Sequence, residues 1–268
     1  PLPFYLSLYL STCRRMVHTK SPAEIVSMRK ACRLAAEVLN DVGKNVFPGV
    51  TTKELADNAA KKIKSFGARS AFLGYDGYPD VICVSVNNVV IHGIPSVQKL
   101  KEGDIVGIDV GVISDGFCGD TARTFAVGQI SSVAKKLLDV SEMALSNCLK
   151  KCSASFRVGD ISNLIQTTAH SYGFSVVRDY VGHGIGRMLH EDPQIPNYGS
   201  SGSGVRLQEN SCLAVEVMIN QGDWRVNVLE DKWTVKTLDN KLSAHFEHTV
   251  LVKKDSCEIL TAGRGEER

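Results

Sequence analysis

Between residues 104 and 127 the sequence DIVGIDVGVISDGFCGDTARTFAV sets two strand-like runs on either side of a turn and strands one carboxylate inside each. Ile105 to Ile113 is apolar and β-branched and reads as a strand. Ser114, Asp115 and Gly116 read as its turn, and Phe117 to Val127 as the returning strand. Counting outward from that turn brings Asp109 and Asp120 nearly opposite each other, within one residue of register. Opposed residues on one face have Cβ atoms about 4.5–5.5 Å apart. A buried carboxylate is costly unless something positive pairs with it, and two bare carboxylates so close would force one to take up a proton. Two divalent cations remove the conflict, since two-metal sites hold their ions about 3.5–4 Å apart. The bland alternative is a hydrated hairpin with two surface aspartates. Asp115, at the tip, fits that description as a turn former.

The second half of the chain repeats the pattern. SCLAVEVMIN (211–220) is a strand whose one charge is Glu216, and SAHFEHTVLV (243–252) is another that holds Glu247. Alternation puts Glu216 on a face with Ala214 and Met218, and Glu247 on a face with His245 and Thr249. A lone strand Glu usually sits at an edge in water; two of them, with the hairpin pair, argue otherwise. A histidine completes the set. In DYVGHGIGRMLHEDPQIPNY (179–198), His183 stands between Gly182 and Gly184 with Gly186 close behind, and His190 follows. Glycines there let backbone and ligand approach closely. Seen alone, a Gly-flanked His serves loop packing as readily as ligation.

The complete string YVGHGIGRMLHEDPQIPNY resembles the signature of type I methionine aminopeptidases. The order Asp109, Asp120, His183, Glu216, Glu247 resembles the ligand order of the same family, and GYDGYPDVICVSVNNVVIHGIP (74–95) its substrate-binding stretch. The likeness runs from about Lys20 to Val252. It implies an α+β pita-bread fold, with two pseudo-symmetric helix-strand halves around a central antiparallel sheet. It also implies removal of the N-terminal methionine of nascent polypeptides, with a small second residue. Type II members carry a helical insertion of several dozen residues; with 25 residues between His190 and Glu216 and 30 between Glu216 and Glu247 there is no room for it.

By the same resemblance, Asp109 would bind one divalent ion, Asp120 and Glu247 would bridge two, and His183 and Glu216 would complete the second. Oxygen ligands with one imidazole suit Co, Mn, Fe or Zn. Glu216 would carry the proton, His190 would steady the developing oxyanion and His92 would contact the scissile amide nitrogen; as single loop histidines both also read as packing residues. Tyr75, Tyr78, Cys83, Met218 and Trp233 fall where the family lines its methionine pocket, and Met and aromatic side chains suit a thioether. Plain core is the alternative for Met218. Asn87, the Val89 carbonyl and Ser243 are the expected holders of one monovalent cation. The chain departs from the family pattern at Gly111, where Thr is common, and at Cys118, Leu189, Val217 and His245.

Composition bounds the rest. The 268 residues suit one or two domains, and 43% hydrophobic with 22% charged residues is ordinary for a globular protein. A net charge of +2 gives no electrostatic footprint for nucleic-acid readout, and a transient ribosome contact would have no visible patch. The basic cluster of Lys61, Lys62 and Lys64 reads as a solvated helix face. Eight cysteines without a CxxC pair suggest a reducing compartment, hence the cytoplasm, and Cys148 and Cys152 are expected to pack on one helix face. Residues 1–15 (PLPFYLSLYLSTCRR) are too short to span a bilayer and carry their Arg pair after the apolar run, unlike a secretory signal. They are read as an extension, disordered or outside the native chain, with Met16 as the natural start and 16–268 as one catalytic domain, a monomer without membrane attachment.

Ser21 with Glu24 and Thr51 with Glu54 read as capping boxes opening helices to about Asn45 and Phe66. Strands are expected near 81–91 and 104–127. Helices are expected from Ser131 or Ser132 to Lys151 and from Asp160 to Tyr172, then strands near 176–182, 211–220 and 245–252. Gly199 to Gly204 reads as a flexible loop near the site. Two rival functions are an aminopeptidase P or prolidase-like Xaa-Pro hydrolase, which usually carries a large extra N-terminal domain, and a non-catalytic pita-bread binding protein, which typically loses metal ligands.

Overall fold

Ser21 and Glu24 exchange hydrogen bonds at the head of α1 (Pro22–Gly43), and Thr51 and Glu54 do the same for α2 (Thr52–Ser65). Both reciprocal caps satisfy amide groups that the first helical turn leaves without partners. The computed structural model describes residues 17–263; the expected start at Met16 and the reading of residues 1–15 lie outside the described residues. After α2 the chain forms β1 (Arg69–Ser70), β2 (Cys83–Val86) and β3 (Val89–Ile91). The single strand expected over 81–91 is broken at Asn87, whose φ of 54° turns the chain out of one sheet and into another. Then come the hairpin β4 (Ile105–Ser114) and β5 (Phe117–Ala126), α3 (Ser132–Leu149) and α4 (Val158–Ser171). α4 starts two residues before the expected Asp160, because that carboxylate accepts from Arg157 N at 2.7 Å and so sits in the first turn.

The remaining strands are β6 (Ser175–Val176), β7 (Val181–Gly184), β8 (Glu191–Pro196), β9 (Cys212–Asn220), β10 (Val226–Val228), β11 (Val235–Thr237), β12 (Ser243–Val252) and β13 (Cys257–Ile259). The ten-stranded main sheet runs β1-β4-β5-β12-β9-β7-β8, with β2 beside β4, β6 beside β9 and β13 beside β12. Its pairings are antiparallel. A small sheet, β10-β11-β3, stands apart. The first half of the chain supplies β4 and β5, the second β9 and β12, and the halves join where β5 pairs with β12.

Strand alternation decides what each face of the sheet does. Val106, Ile108, Val110 and Val112 of β4 pack with Leu34, Val38, Leu55 and Ala59 of α1 and α2. Leu213, Val215, Val217 and Ile219 of β9 pack with Leu137, Ala144, Ile161 and Ile165 of α3 and α4. All four helices therefore cover one face. Gly119 of β5 permits the close approach of α1, since a Cβ there would fall 2.6 Å from Cys32 Cα. The residues between those apolar ones, Asp109 and Glu216 among them, face the other side.

Three local expectations need correction. The hairpin turn has two residues, Asp115 (φ 51°) and Gly116 (φ 76°), and Ser114 pairs with Phe117 as the closing pair. Two left-handed residues match the twist of the flanking strands better than a three-residue loop. Asp109 consequently pairs with Ala122 and Asp120 with Gly111, a diagonal offset of two rather than one. Cys152 lies past the end of α3, so it shares the core with Cys148 without sharing a helix. The glycine-serine loop is bound to α4, on the helix-covered side: Gly199 N donates to Gln166 Oε1 at 3.1 Å, and Gly202 N to Asp160 Oδ1 at 2.7 Å.

Candidate metal centre and its cleft

Across four neighbouring strands, Asp109 pairs with Ala122, Ala122 with Glu247, and Glu247 with Glu216. Residues in such a transverse row share a face. Asp120 lies two residues from Ala122 along β5, and His183 pairs with Ala214, two residues from Glu216 along β9. The five ligand-type residues therefore occupy two adjacent rows on the face opposite the helices. Cys83, on β2, extends the first row beside Asp109.

Three of these groups are withdrawn from water, while Asp109 and Glu216 are half-buried. Asp120 is 4% exposed, Glu247 3% and His183 6%. His183 Nε2 is 3.9 Å from Asp120 Oδ2 and 3.8 Å from Glu216 Oε1. Its Nδ1 lies 2.9 Å from the Gly184 carbonyl, which fixes the proton there and turns an unprotonated Nε2 toward the carboxylates. Burial, then the charges of Asp120 and Glu216, hold Asp109 well above the usual carboxylate range. Burial does the same at Glu216, helped by Asp120, and at Glu247, helped by Asp120, Asp109 and Glu216. Asp120 is raised to about 7 by burial. Burial lowers His183 to about 3, with the His190 charge adding to it.

Three carboxylate oxygens, Asp109 Oδ1, Asp120 Oδ1 and Glu247 Oε1, are buried without a hydrogen-bond partner. Each is an acceptor whose desolvation no hydrogen bond among the described residues offsets. Ligand atoms of Asp120, His183 and Glu247 all lie within 4.8 Å of one another. Orphaned anionic oxygens around a neutral imidazole fit divalent cations, which supply the missing positive charge.

The centre forms the floor of a cleft of about 560 Å³, its open mouth included. Tyr75, Tyr78, Cys83, Trp233, His92 and His190 line it. His190 Nδ1 is 2.6 Å from the Tyr75 hydroxyl, and its ring meets His183 edge-on at 4.4 Å between centroids. His92 has a left-handed φ of 57° and meets Trp233 edge-on at 6.0 Å. Trp233 in turn packs on Tyr78 at 5.2 Å. Met218 does not reach the cleft: it is fully buried with Val90, Ile91, Val177 and Val235, the core alternative raised for it from sequence.

Phe72 and Ile91, which the sequence reading did not single out, also line the cleft, as do Leu189 and His245, two of the departures from the family pattern. His245 Nε2 lies 3.7 Å from Glu216 Oε2, and alternation with Glu247 on β12 was the signal that could have assigned it. Nothing local marks Phe72, which enters through its packing. Of the expected monovalent-cation group, Asn87 and Ser243 meet through the backbone, Ser243 N donating to Asn87 O at 2.9 Å. The Asn87 amide is engaged with Asp104 and with Ile105 N.

Known proteins resemble this chain along most of its length. The profile of metallopeptidase family M24 matches residues 26–254. A methionine aminopeptidase of Clostridium perfringens is 49% identical over 246 residues, covering 92% of this chain and 99% of that protein. The crystal structure of methionine aminopeptidase from Thermotoga maritima superposes with a TM-score of 0.91 at 46% identity, covering 92% of this chain and all of that one. The prolidase of Pyrococcus furiosus shares the fold, with a TM-score of 0.74, at 20% identity and over 65% of its own length. With its ligand-type side chains gathered on one sheet face, the chain belongs to the methionine aminopeptidases of metallopeptidase family M24.

Proposed function

We infer that the protein is a metal-dependent aminopeptidase that removes the N-terminal methionine of nascent polypeptides whose second residue is small. The observation that carries this reading is the pair of rows holding Asp109, Glu247, Glu216, Asp120 and His183, with three buried carboxylate oxygens left unpartnered. Asp109, Asp120, His183, Glu216 and Glu247 would hold two divalent ions, of Co, Mn, Fe or Zn. When bound, such ions supply a Lewis acid and a water acidified toward neutral pH.

The chain's own residues do the rest. Glu216 faces both His183 and His245 and is the group that carries a proton from water to the leaving amine. His190, oriented by Tyr75, points its remaining nitrogen where the scissile carbonyl oxygen gathers charge. His92, half-buried and packed edge-on against Tyr180 and Trp233, contacts the scissile amide nitrogen. Tyr75, Tyr78, Cys83, Phe72 and Trp233 take the thioether side chain and exclude water from it. Asn87, the Val89 carbonyl and Ser243 are retained as a monovalent-cation site. The substrate is met in the cytoplasm, by a monomer that touches the ribosome transiently. Among the described residues, no helix is long and apolar enough to cross a membrane.

The test is hydrolysis of Met-Ala-Ser and Ala-Pro-Gly by chelator-stripped protein, with and without Mn or Co. Release of Met only when metal is restored is the expected result. Cleavage before Pro instead would move the protein to the Xaa-Pro hydrolases, and cleavage of neither with metal bound would leave a binding role.

A further inference from the structure

On the helix-covered side, far along β12 from Glu247, a second chemistry-bearing cluster plays no part in the proposed reaction. Cys152 follows α3, and Cys257 opens β13. Both are tied to one carbonyl: Cys257 Sγ donates to Leu149 O at 3.2 Å, and Cys152 N donates to the same oxygen at 3.2 Å. Both side chains enter the same core cluster, so the shared Leu149 carbonyl sets the two residues side by side. The backbone holds this approach, since Ala154 N donates to Lys253 O at 2.9 Å and β13 is laddered to β12. Cys148, the third thiol nearby, is turned back onto its own helix, donating to Leu145 O at 3.1 Å.

The thiols of the pair differ. Cys152 is fully buried, whereas Cys257 is partly exposed and can be reached from solvent. The neighbouring Cys152 thiol and the Lys253 ammonium lower the Cys257 pKa, while the Cys257 thiol and burial raise that of Cys152. That is the asymmetry of an attacking thiol beside a resolving one.

We propose that Cys152 and Cys257 form an oxidisable dithiol, a modification site that closes to a disulfide when the protein meets a hydroperoxide. The Cys257 thiolate attacks one peroxide oxygen; the O–O bond breaks and, with hydrogen peroxide, hydroxide departs, leaving a sulfenic acid on Cys257. The Cys152 sulfur then attacks the Cys257 sulfur as its own proton passes to the hydroxyl, which leaves as water. The hydroxide takes up the proton that Cys257 had released. Two thiols lose two electrons, and one hydrogen peroxide becomes two waters. The bond would staple the segment after α3 to the β12–β13 hairpin and enclose most of the second half of the chain.

The site lies outside the metal centre, so the test does not depend on the aminopeptidase reading. The full-length protein is treated with hydrogen peroxide, alkylated without reductant and digested with trypsin. The expected product joins CSASFR (152–157) to DSCEILTAGR (255–264) with a loss of two hydrogens, and dithiothreitol reverses it. The oxidised protein should melt roughly 5–10 °C higher, as for a long closed loop. In Cys152→Ser the reaction should stop at a Cys257 sulfenic acid, trapped by dimedone; circular dichroism of that variant establishes that it folds. Three results would overturn the proposal: Cys257 left unmodified, linkage of 255–264 to the peptide 137–150 that carries Cys148, or direct passage of Cys257 to the sulfinic acid in the wild-type protein.

Discussion

Gly111 makes room for the ring of Phe72. A Cβ at 111 would fall 2.9 Å from both Cδ1 and Cζ of that ring, closer than real side chains approach. Gly111 pairs with Asp120 in the second row of the centre, and its carbonyl accepts from Ala71 N at 2.9 Å, so neither backbone segment can easily retreat. The commoner Thr at this position is therefore incompatible with the Phe72 ring where it lies in the cleft wall.

Gly111→Thr should displace that ring toward the cleft. We expect a loss of stability of about 1–3 kcal/mol from overpacking, and a KM for Met-Ala-Ser raised several-fold with a smaller change in kcat. Adding Phe72→Ala should recover much of the stability. Urea unfolding and steady-state kinetics of the single and double variants check both, and additive losses in the double variant would refute the clash.

Glu216→Gln should abolish turnover, by about 100-fold or more, while leaving the fold intact. The amide keeps the shape but cannot take up a proton. Far-ultraviolet circular dichroism together with peptide hydrolysis is the measurement, and wild-type rates would remove Glu216 from its role.

Chelator-treated protein should lose stability as pH rises. Asp120 is raised to about 7 from 3.8, and Asp109, Glu216 and Glu247 are raised well above their usual values. The folded state then binds protons more tightly than the unfolded state. Its advantage is complete below about pH 4 and is lost as pH rises through about 7. The cleft histidines act in the opposite sense, since burial lowers His183 and His245 to about 3 and His92 to about 4, so their stabilisation grows with pH and offsets the carboxyls until about pH 6.5. The net fall in melting temperature of metal-free protein should therefore appear above about pH 6.5. Mn at a hundredfold its Kd should restore about 2.7 kcal/mol near neutral pH. A flat or rising profile above about pH 6.5 without metal would contradict the clustering of these carboxyls.

The ion pair of Arg29 with Glu258 should behave in the opposite sense. Arg29 Nε lies 2.8 Å from Glu258 Oε1, and Lys253 Nζ lies 2.8 Å from Oε2. The Arg29 hydrogen bonds, with help from Lys253, lower Glu258 from 4.5 to about 2. The stabilisation is present above about pH 4.5 and disappears as pH falls through about 2. Arg29 is half exposed, so solvent screening leaves about 0.5–1 kcal/mol. Arg29→Ala should differ from wild type by that amount at pH 7 and converge with it near pH 2, by denaturant unfolding at each pH.

Much of the site is legible in the sequence because burial and charge conflict there. A lone Asp109 or Glu216 inside a β-branched run has to be explained, and a cation explains it. The capping boxes at Ser21 and Thr51 are legible because their chemistry is complete within four residues. Short strands such as β10 and β13 are not, since three residues carry no periodicity.

Chain order and residue type alone determined the long helices and strands, their apolar faces and which carboxylates would be stranded among apolar residues. Tertiary structure decided the rest. The two-residue turn at Asp115 and Gly116 set the diagonal offset of Asp109 and Asp120, because each residue of turn length shifts register by one and changes which residues share a face. Only the pairing of β5 with β12 brings Glu247 between the hairpin aspartates and Glu216. Met218 is kept out of the cleft and Phe72 enters it for the same reason: a buried Met on β9 fits the small cluster beneath the cleft, and a glycine at 111, 39 residues from Phe72 in sequence, admits that phenyl ring to the wall. Such contacts are long-range and depend on volume, which local sequence pattern does not encode.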